Sequence, residues 1–157
     1  MAAVLRVERR RSWSYVTELP RHSVSVTGVV FGHDRRVLAI RRSDDDRWVP
    51  PGGVLELDET PEEGVVREVY EETGLYVKPE VLVGVYKNMR LHVVSLAFRC
   101  HVVAGQQHTT TPEARQVEWF SIDDAQRLMP EARAIRVMDA LRDDGPFVRV
   151  HDGSDLL

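Results

Sequence analysis

The chain has 157 residues, 43% apolar and 29% charged, with a formal net charge of −4. That is the size and composition of one soluble globular domain, and it excludes a disordered or fibrous class. No apolar run approaches the roughly 18 residues needed to cross a bilayer, and the negative balance disfavours generic nucleic-acid binding.

At the N-terminus, Arg6, Arg9, Arg10 and Arg11 follow a brief apolar stretch with no apolar segment after them. That order is unlike a secretory signal, so a cytoplasmic location is expected. Residues 1–21 are read as an extension, an arm or edge strand whose arginines could clamp phosphate or form a homodimer contact. From His22 the run HSVSVTGVVF alternates and then turns apolar, Gly32-His33-Asp34 supplies a turn, and Val37 to Ile40 is apolar again. This predicts a hairpin. Trp48-Val49-Pro50-Pro51-Gly52-Gly53 predicts a rigid, bent loop.

Thr60-Pro61-Glu62-Glu63 supplies a capping hydroxyl, proline at the first helical position and glutamate three residues after the cap. With Gly74 as the terminating residue, a helix is expected from Pro61 to Thr73. Tyr76-Val77, Val81 to Tyr86 and Leu91 to Val103 read as strands separated by Lys78-Pro79-Glu80 and Lys87-Asn88. Gln116 to Phe120 reads as a short strand, and Ser121 caps a helical turn from Ile122 to Leu128. A last helix is expected from Pro130 to Leu141, with Ala134, Ile135, Met138 and Leu141 on its buried stripe. Residues 22–145 thus form the expected domain and 146–157 a C-terminal tail. Cys100, the only cysteine, excludes an internal disulfide and reads as a small buried residue.

The acid is concentrated. Between Glu56 and Glu72 lie seven Glu and one Asp against Arg67 alone, a balance of −7 that leaves +3 for the rest. On the helix, Glu68, Glu71 and Glu72 share one face at i, i+3, i+4 spacing, with Val66, Val69 and Tyr70 on the other. Such a face suits a hard divalent cation, which prefers carboxylate oxygens. A solvated acidic surface is the competing reading at this point. The six histidines show no ligand spacing, and none is nominated.

Reading on from Gly53, five residues lead to Glu59 and seven more to Arg67-Glu68-Val69-Tyr70-Glu71-Glu72-Thr73-Gly74-Leu75. Every specified position resembles the Nudix box, and Trp48 to Gly53 and Glu113 to Trp119 resemble the family's approach loop and late loop. Asp58 departs from the glycine that many members carry there.

The resemblance implies an α/β fold, an α/β/α sandwich with a central mixed sheet. It implies a Mg²⁺- or Mn²⁺-dependent hydrolase that cleaves a pyrophosphate bond in a nucleoside diphosphate linked to another moiety, a small-molecule nucleotide substrate. Glu68, Glu71, Glu72 and the Gly52 carbonyl are the implied metal ligands, with Glu56 as an additional one. Arg67 orients the carboxylates, and Glu113 binds metal or serves as base. The general base stays open among Glu56, Glu71, Glu72 and Glu113. Arg41, Arg42 and Trp48 are candidates for substrate contacts, the arginines through phosphate and Trp48 by stacking. Lys87 to Val93 lacks the proline and the tyrosine that mark ADP-ribose and diadenosine polyphosphate hydrolases. A MutT-like nucleoside triphosphate pyrophosphohydrolase is therefore expected, with ADP-ribose or nucleotide-sugar hydrolysis, or a non-catalytic regulator, as alternatives.

Overall fold

The computed structural model describes residues 19–157; expectations for the arginine-rich arm over residues 1–18 lie outside the described residues. The alternating run folds as expected into β1, Ser23–Phe31, which turns back into antiparallel β2, Val37–Arg42. Gly32 N–H donates to Arg36 O at 2.8 Å to close the turn. Two short strands follow, β3 at Trp48–Val49 and β4 at Gly52–Val54. Pro50 and Pro51 between them have no N–H to give to a ladder.

Helix α1 spans Pro61–Thr73. After it come β5, Leu75–Asn88, β6, Val93–Gly105, and β7, Ala114–Phe120. The chain ends with α2, Ile122–Leu128, α3, Glu131–Ala140, and β8, Phe147–His151. The sheet runs β3-β2-β1-β6-β5-β8, with β4 added to β1 and β7 to β2. Pairs β1–β6 and β5–β8 are parallel and the others antiparallel, so the sheet is mixed.

Successive strand residues point to opposite faces, and β1 uses both. Val26 and Val30 pack in one core cluster with Val65 and Val69 of α1. Val29 packs in a second, with Val37, Tyr86 and Val137 of α3. At Gly28 an added Cβ would meet Val69 Cγ2 at 2.8 Å, so α1 rests directly on the strand. Helices on both faces of a mixed sheet make the α/β/α sandwich that the sequence implies. Among the described residues no helix is long and apolar enough to cross a membrane.

Four expectations change. Lys78-Pro79-Glu80 does not end a strand, because register shifts flanking Pro79 let β5 run on without its missing N–H. The buried face of α1 carries Val65, Glu68, Val69 and Glu72, while Tyr70 is exposed and stacks on Tyr76 at 4.3 Å between ring centroids. On α3 the buried residues include Ala132, Ala134, Arg136, Val137 and Asp139, whereas Leu141 lies beyond the last turn and is 51% exposed. Arg136 is tolerated inside because Thr27 Oγ1 and Ser95 Oγ accept from its Nη1 at 2.6 and 3.0 Å, and its guanidinium lies over the Tyr86 ring. Within the expected C-terminal tail, Phe147–His151 join the sheet as an edge strand beside β5.

Candidate metal centre

The site begins with the two ends of α1. Thr60 Oγ1 accepts from the Glu63 N–H at 3.2 Å and Glu63 Oε2 from the Thr60 N–H at 2.8 Å. At the other end Gly74 takes the left-handed conformation, φ 78°, and donates to Tyr70 O. An added Cβ there would also meet Gln106 O at 2.4 Å. A helix pinned at both termini holds its side chains in a fixed frame.

That frame presses Glu68 and Glu72, 7% and 5% exposed, against β4. β4 is anchored to β1 through the pairs Val26↔Gly53 and Thr27↔Gly52. The Gly52 N–H donates to Glu72 Oε2 at 3.0 Å. Glu113, exposed on the loop before β7, joins them from the far side, its backbone O accepting from Ser43 N–H at 3.0 Å. Carboxylate oxygens of Glu68, Glu72 and Glu113 all lie within 4.8 Å of one another. Together with Gly52, Gly53, Arg42 and Glu56 they line a cavity of about 500 Å³.

Burial pushes the Glu72 carboxyl up to about 8, with Glu68 and Glu113 adding repulsion and Gly52 and Arg42 opposing. Burial likewise raises Glu68, against the pull of Arg67. Oxygen donors crowded under this penalty are the donor set that a hard divalent ion relieves. The residues present therefore fit such an ion.

Arg67 organises one side of the site. Its Nε and Nη2 donate to both oxygens of Glu59, at 2.9 and 2.6 Å, and its Nη1 to Glu68 Oε1 at 2.8 Å. It also reaches Val54 O at 3.0 Å and Glu71 at 3.2 Å. The fork holds Glu59 down at about 2.

Other candidates fall differently. Glu71 is outside the converging trio, nearly half exposed and bonded to Arg67. Arg41 is engaged by Asp46 and Gln116 and does not border the cavity, whereas Arg42 does. Trp48 packs on Phe120 in the second core, ring centroids 4.7 Å apart, which takes both rings away from the cavity. Sequence reading missed Gly53 as a contact, although a Cβ there would touch the Glu68 carboxylate. In the sequence Gly53 is the first box position, Gly52 an implied carbonyl ligand and the pair a bend, whereas the close approach to Glu68 arises where β4 meets α1.

A family model for the NUDIX domain matches residues 21–141. The chain belongs to the Nudix family. It is 52% identical over 141 residues to a MutT-like protein of Streptomyces ambofaciens, covering 90% of this chain and 91% of that one. It is 35% identical over 113 residues to an ADP-ribose pyrophosphatase of Methanocaldococcus jannaschii, covering 68% of this chain and 66% of the relative. Among solved structures, the MutT protein of Methanosarcina mazei superposes with a TM-score of 0.67 at 26% identity, covering 78% of this chain and 95% of that one. As a member with the box complete, the chain is a Nudix pyrophosphohydrolase.

Proposed function

We propose that this protein hydrolyses nucleoside triphosphates to nucleoside monophosphate and pyrophosphate, using Mg²⁺ or Mn²⁺ held by Glu68, Glu72 and Glu113. The convergence of these three carboxylates beside Arg42 carries the reading. The MutT-like name of the 52% identical relative favours triphosphates. Such substrates fit the cytoplasmic setting expected from the sequence.

A bound divalent ion would screen phosphate charge and lower the cost of forming hydroxide from water. The chain's own groups do the rest. Arg42 offers a guanidinium to phosphate oxygens at the cavity wall. Arg67 keeps Glu68 oriented while its other donors are taken by Glu59, Glu71 and the Val54 carbonyl. Glu56 lines the cavity outside the trio and has no cationic partner among the described residues. It is the group we assign to take the proton from the attacking water.

The test is a product-resolved assay with Mg²⁺ against nucleoside triphosphates, ADP-ribose and dinucleotides, with Glu72→Gln and Glu56→Gln in parallel. Metal-dependent release of pyrophosphate from a triphosphate, lost in Glu72→Gln, is expected. Glu56→Gln should lower kcat with unaltered metal affinity. Cleavage of ADP-ribose alone would replace the triphosphate reading. Nucleotide binding without turnover, unaffected by Glu72→Gln, would replace the enzyme with a regulator.

A further inference from the structure

Arg42 borders the acidic cavity and two others. A neck of about 180 Å³ shares Gly52, Gly53 and Val54 with the acidic cavity and meets Arg133 at its other end. Beyond Val49 and Arg133 lies a cavity of about 380 Å³, within the range of ligand sites. Arg42, Arg47, Arg90 and Arg133 border it against Asp45 and Asp152. Two positive charges are left over.

The pairing is incomplete at particular residues. Arg42 is held by Asp44, and Arg47 reaches Ser154 at 3.2 Å and Asp45 at 4.0 Å. Among the described residues, the side chains of Arg90 and Arg133 have no hydrogen bond and no carboxylate within 4.0 Å. Arg133 is half-buried on the first turn of α3, whose capping residue Pro130 offers no side-chain acceptor. Burial, together with Arg42 and Arg47, holds its guanidinium below the ordinary value. The helix end adds positive potential to the same wall. A half-buried cation beside like charges is a group that an anion would stabilise. Among the described residues, no aromatic side chain borders the neck or this cavity, and their lining offers charge rather than a stacking surface.

We propose that this basic pocket holds the terminal phosphate of the substrate, and that Arg90 and Arg133 select phosphate-terminated substrates over nucleotide sugars ending in an uncharged ring. The proposal rests on the hydrolase reading and narrows it: the metal cradle takes the scissile anhydride, Arg42 stands at the junction, and the chain of phosphates continues through the neck.

Binding of inorganic tripolyphosphate, measured by calorimetry in EDTA, tests the pocket without turnover. The native protein is expected to bind it, Arg133→Gln and Arg90→Gln each to weaken it at least tenfold, and Glu72→Gln to bind no more weakly than native. Arg90 is exposed, so Arg90→Gln keeps the test intact if Arg133→Gln fails to fold. Absence of binding by the native protein, or equal binding by native and the folded arginine variants, overturns the proposal. With Mg²⁺, the kcat/KM ratio of nucleoside triphosphate to ADP-ribose should fall about tenfold in Arg90→Gln; an unchanged ratio overturns the selectivity. Hydrolysis lost in Glu72→Gln with tripolyphosphate binding indifferent to both arginines would remove this inference and leave the hydrolase reading. The expected binding without metal-dependent hydrolysis would remove the hydrolase reading and with it the selection among substrates, leaving a polyphosphate-binding pocket alone.

Discussion

The Cβ that Gly53 lacks would stand 2.5 Å from the carboxylate of Glu68. The backbone on either side is held, β4 by its register on β1 and α1 by its two caps, so the carboxylate end of the Glu68 side chain is the part that must move. Gly53→Ala is therefore expected to push Glu68 out of the trio. Displacement of a ligating group by about 1 Å costs on the order of 100-fold in rate. Steady-state kinetics should show that loss in kcat/KM, with weakened Mg²⁺ binding. Native kinetics in Gly53→Ala would show that Glu68 does not need its present position.

Arg67 distributes its donors over Glu59, Glu68, Glu71 and the Val54 carbonyl. A lysine ammonium is a single point and cannot span these partners. Arg67→Lys should lower kcat by about 10- to 100-fold with little change in KM, as expected of a group that orients ligands. Arg67→Ala should also cost about 1–3 kcal/mol in urea unfolding, because buried Glu68 loses its charged partner. Equal kcat for Arg67→Lys and native would mean that orientation of Glu68 and Glu59 does not limit turnover.

Glu72 is buried beside two other carboxylates, and its accepted hydrogen bond from Gly52 can be kept by a neutral amide oxygen. In EDTA at neutral pH, Glu72→Gln should melt no lower than native, since folding must neutralise or bury a carboxylate that is ionised in the unfolded chain, a cost the amide does not carry. Adding Mg²⁺ to 100 times its Kd should stabilise the native protein by about 2.7 kcal/mol and the variant far less. Thermal unfolding with and without the ion reads both. A variant that is much less stable in EDTA and gains as much from Mg²⁺ as native would remove Glu72 from the ligand set.

The parts legible in the sequence are those whose causes are local. Thr60, Pro61, Glu63 and Gly74 fix α1 from within its own segment, and the i, i+4 spacing of Glu68 and Glu72 follows from the helix. What joins distant segments was less visible. Glu113 reaches Glu68 from a loop tied to Ser43, and Trp48 of β3 meets Phe120 of β7, the two strands being both paired to β2. On α3, periodicity favoured Ala134, Ile135, Met138 and Leu141 as the buried stripe; Ala134 is buried and Ile135 and Met138 pack against the second core, but Leu141 is exposed. Arg136 takes the interior because Thr27 and Ser95, 109 and 41 residues away, supply acceptors that no window of local sequence contains. The same blind spot hid Arg133, whose significance depends on Arg42, Arg47 and Arg90 arriving from other elements.

His151 ends β8 with 1% of its surface exposed. The Gly153 N–H donates to its Nδ1 at 3.0 Å, so the neutral ring carries its proton on Nε2, which has no partner among the described residues. Burial first, then Arg136 and Arg133, holds the ring down at about 4, against 6.5 for a free histidine. Because the folded value is depressed, the unfolded chain takes up the proton first as pH falls. The associated stability is fully present above about 6.5 and is lost between there and about 4, where the folded protein also protonates. A shift of this size corresponds to about 3 kcal/mol. Carboxylates contribute to acid unfolding as well, so the informative quantity is the difference between native and His151→Asn, whose amide can still accept from Gly153. Urea unfolding at pH 7 and pH 4 should show native losing about 3 kcal/mol more than the variant over that interval. Parallel losses in the two proteins would mean that His151 is already charged, or already relieved, in the folded state at neutral pH.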